Sequence, residues 1–403
     1  MAHPRRKKVT EPELTGFKYF RQLAPLLAQL HNAGCQRDKA GNRQLHYDQY
    51  CLLILLFFFN PVVQSLRSLQ QASTLKKVQK LLGCQRAALG SLSEARQVFD
   101  PELLREIIGE MAEKLPPITR DSRLSELRDV VTLVDGTLLA ALPRIMIHAS
   151  ENPPSKKSAG RLHTQFEVSR HLPVRMDLTV GDNRKAANEK AVLREHLEAG
   201  RCYVMDRGYE QFSLFNAIAA AGSSYVCRVR EDHHFTPTEV RPLSDADTAA
   251  GVTFDAVGYL GSANSKRIEH PDHLVRMVHV RMTPHPKRGA VNQTPVTLVL
   301  VTNLLDLPAE LIGVLFHYRW AIELFFRFFK HVLGCRHLLS HDPVGIQIQT
   351  YCAIIACLVI TLATGRKPSL RTYEMVCFYF IGLADEDELI AHIERLPHQN
   401  PNF

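Results

Sequence analysis

The sequence predicts a mixed α/β protein in three parts: an all-helical segment over 1–118, an α/β segment over 119–345 with a β-rich insertion at about 230–295, and a helical end over 346–403. Three observations carry this prediction. Apolar residues recur at helical spacing through the first part, until Pro116-Pro117 closes the pattern. Short β-branched runs then alternate with a single helical pattern, as in an α/β sheet. Beyond Pro308 the helical spacing returns and lasts to the end of the chain.

The elements follow in order. Helical leucine patterns cover 24–30, 52–59, 65–82 and 101–115, with Asn, Ser or Pro at their edges. Strand-like runs follow at 130–134, 165–169, 174–180, 203–205 and 224–229, and 186–198 reads as a helix capped by Asp182 or Asn183. The stretch 230–295 is rich in His, Pro, Asp and Thr, with a strand-like piece at 274–282, and 296–301 reads as one more strand. Pro308 opens a predicted long helix to about Gly334, at a first-turn position that tolerates proline. A buried helix near 346–364 and an acidic helix over 385–396 close the chain.

At 403 residues the chain has room for two or three folding units, and 45% hydrophobic with 22% charged residues excludes a mainly disordered protein. Lys plus Arg is 49 against 41 Asp plus Glu, a net +8 that leans toward a polyanionic partner. Nine cysteines without a C-x-x-C pair, and a basic start with no apolar stretch behind it, lead us to expect a cytoplasmic, nucleoid-associated protein. The apolar runs 51–59 and 351–360 are shorter than the roughly 20 residues a membrane span needs, so buried core helices and no membrane partner are expected.

Two aspartates stand where strands should end. Asp135 follows Val-Thr-Leu-Val and precedes Gly136-Thr137; Asp206 follows Cys-Tyr-Val-Met and precedes Arg207-Gly208-Tyr209. α/β folds place their sites at such strand ends, although Asp-Gly is also a common turn opener. A third element is the predicted helix around Glu323. Phe316, Arg319, Glu323 and Lys330 are spaced 3, 4 and 7, which puts a carboxylate on one helical face between two cations. Alone, Arg319 and Glu323 would be an ordinary i,i+4 pair. Three carboxylates on two strand ends and one helix suit hard divalent cations and phosphoryl transfer.

Together these motifs resemble the DDE transposases of bacterial insertion sequences, the branch called insertion-sequence family four. Asp135-Gly-Thr137 and Asp206-Arg-Gly-Tyr209 match its two aspartate motifs, and Phe316-x2-Arg319-x3-Glu323-x6-Lys330 matches Y-x2-R-x3-E-x6-K except for Phe at the first position. The helical first part, Leu92-Ser-Glu-Ala-Arg96, the insertion and the tail over 371–396 extend the resemblance over most of the chain. It implies a ribonuclease H-like catalytic core with a β insertion, preceded by a helical domain that binds DNA ends. It implies Mg2+, with Mn2+ as the alternative, on Asp135, Asp206 and Glu323, and end cleavage followed by strand transfer. The partners implied are double-stranded transposon ends and target DNA, held by a homodimer on paired ends. Arg207, Tyr209, Arg319 and Lys330 become candidate DNA contacts, and Trp320 a ring that stacks on distorted end DNA or packs in the core.

Charge placement agrees with a DNA partner. Residues 136–175 hold six cations, Lys156, Lys157 and Arg161 among them, against Glu151 and Glu167. The same strip also reads as a solvated loop. His337 with His341, or the pair His233-His234, could ligate zinc, but the first pair lacks the glutamate of an H-E-x-x-H pattern and the second has no cysteine beside it. No phosphate-binding G-x-x-x-x-G-K-[ST] loop and no G-x-S-x-G elbow is present. A non-cutting DNA-binding repressor and a ribonuclease H-like nuclease without strand transfer stand as the alternatives.

Overall fold

The computed structural model describes residues 23, 25–31, 33, 38, 41, 43–114, 122–139, 160–179, 189–261, 270–282, 295–334, 339–340, 342–364 and 369–396. Lys156, Lys157, His337 and His341 lie outside the described residues. The chain divides into two compact units, the first made of Met1–Ile118, Leu139–Ala159 and Phe325–Gln399, the second of Thr119–Leu138, Gly160–Leu324 and Asn400–Phe403.

The first unit is helical in its described residues. Its helices are α1 (Tyr47–Phe59), α2 (Leu66–Ser73), α3 (Lys76–Leu82), α4 (Leu89–Val98) and α5 (Glu102–Lys114). A helix that is apolar on every side must be enclosed, and α1 is: every residue from Tyr50 to Phe59 is buried, until Asn60-Pro61 ends it. Pro343–Thr364 does the same over 22 residues, far longer than the apolar run inside it, and packs on α1, α4 and α5. Among the described residues this is the one helix long and apolar enough to cross a membrane, and 89% of its most apolar window is buried inside the protein.

Leu370–Ile381 packs on α1, and its Tyr373 hydroxyl donates to the Phe58 carbonyl at 2.6 Å in the buried core. Tyr373→Phe is expected to lower stability by about 1 kcal/mol, because the carbonyl loses a buried partner while the ring still fills its space. A thermal melt against wild type measures this; an unchanged midpoint would mean the bond contributes nothing net.

The second unit is built on one nine-stranded sheet: β1 (Val130–Leu139), β2 (Gly160–Glu167), β3 (Leu172–Thr179), β4 (Arg201–Met205), β5 (Ser224–Val229), β6 (Phe235–Val240), β7 (Val252–Leu260), β8 (Val275–Met282) and β9 (Val296–Thr302). Its order is β3-β2-β1-β4-β5-β9-β8-β7-β6. β1, β4 and β5 run parallel, and β5 onward through β9, β8, β7 and β6 is antiparallel. Parallel neighbours need a crossover, supplied between β4 and β5 by the helix Phe212–Ala220. β4 and β5 are buried along nearly their whole length, as the central strands of a covered sheet should be. The strands of the predicted insertion hydrogen-bond into this same sheet and extend it by one edge.

Candidate active site

β1 and β4 pair in register from Val130 with Arg201 to Val134 with Met205. The next residue on each strand is an aspartate. Asp135 and Asp206 are therefore the residues that directly follow the last paired positions of two neighbouring parallel strands. The sequence expectation that β1 ends at Asp135 is corrected: the strand runs on to Leu139, and only its pairing with β4 stops there. Asp206 is extended and leads into a single 3-10 turn, Arg207–Tyr209.

The helix around Glu323 is also corrected. Two helices, Ala309–His317 and Trp320–Gly334, replace the one long helix. At the break the Arg319 amide donates to Phe316 (3.1 Å), Ala321 to Tyr318 (2.8 Å) and Ile322 to Arg319 (3.2 Å), a run of i to i−3 bonds that tightens the turn. The first of these helices lies on β4, β5, β7 and β8, which carries the break to the sheet.

Arg319 then spans two carboxylates. Its Nη2 is 2.7 Å from Glu323 Oε1 and its Nη1 3.9 Å from Asp135 Oδ2. Phe316 lies beneath the guanidinium, 5.7 Å from ring centroid to Arg319 Cζ, and is only 8% exposed. The position where the family pattern has tyrosine thus supports Arg319 through a cation–π contact.

Electrostatics mark the site. Burial pushes the Asp135 carboxyl up to about 6; the Gly136 amide (2.8 Å) and Arg319 oppose this, and Glu189 and Glu323 add to it. Asp206 Oδ1 is buried and accepts no hydrogen bond, with Arg228 Nη1 at 3.9 Å. A buried carboxyl whose ionisation burial opposes and a carboxylate oxygen without a partner are groups that a hard divalent cation would satisfy, and an all-oxygen donor set suits one. Among the described residues no three His, Cys, Asp or Glu side chains converge closely enough to hold a metal ion. Arg319 supplies the positive charge between Asp135 and Glu323.

The remaining candidates divide. Arg207 is exposed and Trp320 is 51% exposed beside Arg319, so its ring is open to solvent instead of filling the core. Lys330 is exposed on the part of its helix that groups with the first unit. Tyr209 does not reach the surface, against the expectation of a DNA contact: it is 2% exposed and packs in the cluster with Phe215 and Tyr225. Arg161 is held by an ion pair with Glu189 instead of standing free for a phosphate. Three residues escape the sequence reading. Glu189 lies against the glycines of both aspartate motifs, and Arg228 and Arg230 join Arg207 in lining a cavity of about 310 Å3, together with Glu231 and Asp232. The alternation of arginine along Cys-Arg228-Val-Arg230 is the signal available for the last two.

Two neighbouring parallel strands thus lead into aspartates, and one arginine faces both the first aspartate and a helix glutamate. The family model described as "Transposase DDE domain" matches residues 126–359, more than half of the chain, and the chain belongs to that family. It is 26% identical over 318 residues to "Putative transposase y4zB" of Sinorhizobium fredii (strain NBRC 101917 / NGR234), covering 77% of this chain and 81% of that one. It also aligns with piggyBac transposase, solved by cryo-EM as a synaptic complex with hairpin DNA, at a TM-score of 0.42 and 11% identity, over 97% of this chain and 88% of that one.

Proposed function

We propose that this protein is an insertion-sequence transposase of the family four type, which cuts the ends of its element and joins them to target DNA through a ribonuclease H-like core. The observation that supports the reading best is the β1/β4 register, whose last pair is followed on each strand by an aspartate, together with the Arg319 guanidinium that faces both Asp135 and Glu323. The strand order, with β4 and β5 parallel to β1, agrees with such a core. The working form in this proposal is a cytoplasmic homodimer on paired ends, loaded with Mg2+.

Asp135, Asp206 and Glu323 are the residues that would hold divalent cations. Divalent cations bound there would supply activation of the attacking water or 3′-hydroxyl and positive charge at the scissile phosphate. The protein's own groups do the rest. Arg319, poised over Phe316, balances Asp135 and Glu323 in the DNA-free protein and is placed to turn to a phosphate as they take up a cation. Arg207, Arg228 and Arg230 beside Asp206 offer the backbone of the cut strand a positive wall. Trp320 offers an exposed ring for an unstacked base.

The deciding experiment incubates the protein with duplexes carrying the ends of its own element, target DNA and Mg2+, and maps the 3′ ends. Cut ends joined to target are expected; cutting without joining would make it a nuclease, and binding without cutting a repressor. In the same system Arg207→Ala and Lys330→Ala should each reduce the slope of log K against log salt by about 0.9, the contribution of one phosphate contact. Slopes equal to wild type in a salt-titrated anisotropy assay would remove both residues from the interface.

A further inference from the structure

Behind the two aspartates stands a carboxylate that no motif marks. Glu189 opens the helix Glu189–Glu195, and its two oxygens face the two glycines of the aspartate motifs. A Cβ at Gly136 would lie 2.6 Å from Glu189 Oε1, and one at Gly208 3.5 Å from Oε2. Gly136 directly follows Asp135 and Gly208 comes two residues after Asp206, so one side chain touches the backbone beside both. Neither glycine has the positive φ that only glycine adopts easily, so what Gly136 supplies is room for the carboxylate.

The wedge is fixed from the other side. Arg161 on β2 pairs with Glu189, and the helix that Glu189 opens packs on the Arg207–Tyr209 turn. An independent observation marks the same spot as incomplete. The Tyr209 hydroxyl is buried without a hydrogen-bond partner, and the charges it senses are those of Glu189, Asp135 and Arg161. Buried hydroxyls in folded proteins have partners, so among the described residues this one marks an unfilled polar position beside Glu189.

We propose that Glu189 is a positioning residue of the active site: held by Arg161 and wedged beside Gly136 and Gly208, its carboxylate sets the spacing of Asp135 and Asp206 for a divalent cation. The inference rests on the reading of those aspartates as cation ligands. A carboxylate in this place stabilises the fold through Arg161 and opposes it by adding negative charge next to a buried Asp135, two contributions of opposite sign. Its removal should therefore change thermal stability little while cation binding weakens, a separation that a purely structural residue does not produce.

The test is a Mn2+ titration of the full-length protein followed by electron paramagnetic resonance, run beside a thermal melt. Glu189→Ala is expected to weaken Mn2+ binding by about tenfold or more, the usual cost of losing a residue that orients metal ligands, with little change in melting temperature. Glu189→Gln keeps the wedge and should stay within about threefold of wild type. Equal losses in the two variants would mean that only charge acts, and a loss that follows a lowered melting temperature would mean a structural role; either overturns the proposal.

Gly136→Ala gives a second route should Glu189→Ala fail to fold. Its methyl group would press on Oε1 and should weaken Mn2+ binding as Glu189→Ala does, whereas unaltered binding overturns the proposal. Asp206→Asn separates the two layers of the argument. If it binds Mn2+ as wild type does, the cation site itself is wrong; if it loses Mn2+ and Glu189→Ala does not, only the role of Glu189 is wrong.

Discussion

Asp206→Asn is expected to lower end cleavage by about a thousandfold or more, since the several kcal/mol that a bound cation gives a phosphoryl-transfer transition state convert to that factor. End binding and melting temperature should stay near wild type. The structure supplies the reason for this separation: Asp206 Oδ1 has no hydrogen-bond partner and its nearest cation is 3.9 Å away, so the fold draws little from the charge. Asp135→Asn is a less clean choice, because it also removes a carboxylate from Arg319 and alters a buried group. Mapped cleavage products, gel shifts and a melt on the same preparation decide the matter. Cleavage within a few-fold of wild type would remove Asp206 from the chemistry.

The residues differ in how far the sequence reveals them, for physical reasons. Two apolar runs each followed by Asp are legible because a central parallel strand needs apolar residues on both faces, and its carboxylate can appear only where that burial ends. The β1/β4 register is not legible, since pairing is a property of two distant segments. The break between His317 and Trp320 is equally hidden: no proline or glycine marks it, and it arises where the hydrogen bonds shift to i−3. Tyr209 and Arg161 show a different limit. Motif position suggests a DNA contact for Tyr209 and the basic strip suggests one for Arg161, but burial directs the first into the core and an unseen acid binds the second. Glu189 leaves its trace only as one missing side chain, at Gly136, where Asp-Gly also reads as a turn opener.

The largest stability effect is expected far from the carboxylates, at Asp255. Arg276 on β8 makes a two-pronged pair with Asp255 on β7, both bonds at 2.7 Å, with side chains only 3% and 5% exposed. The same guanidinium donates to the carbonyls of Leu305 at 3.1 Å and of Leu307, the segment that leads into the helix Ala309–His317. Asp255→Ala strands a buried cation whose remaining partners are neutral, and breaking such a pair costs about 3–5 kcal/mol. For a folding unit of this size each kcal/mol shifts the midpoint by about 2–4 °C, so the second unit should melt about 6–20 °C earlier. Asp255→Asn, which keeps hydrogen bonds but not the charge, should fall between. Because neither residue touches Asp135, Asp206 or Glu323, end cleavage measured well below the melt should survive in both variants. A midpoint within a degree of wild type for Asp255→Ala would show that the guanidinium is satisfied by the carbonyls alone.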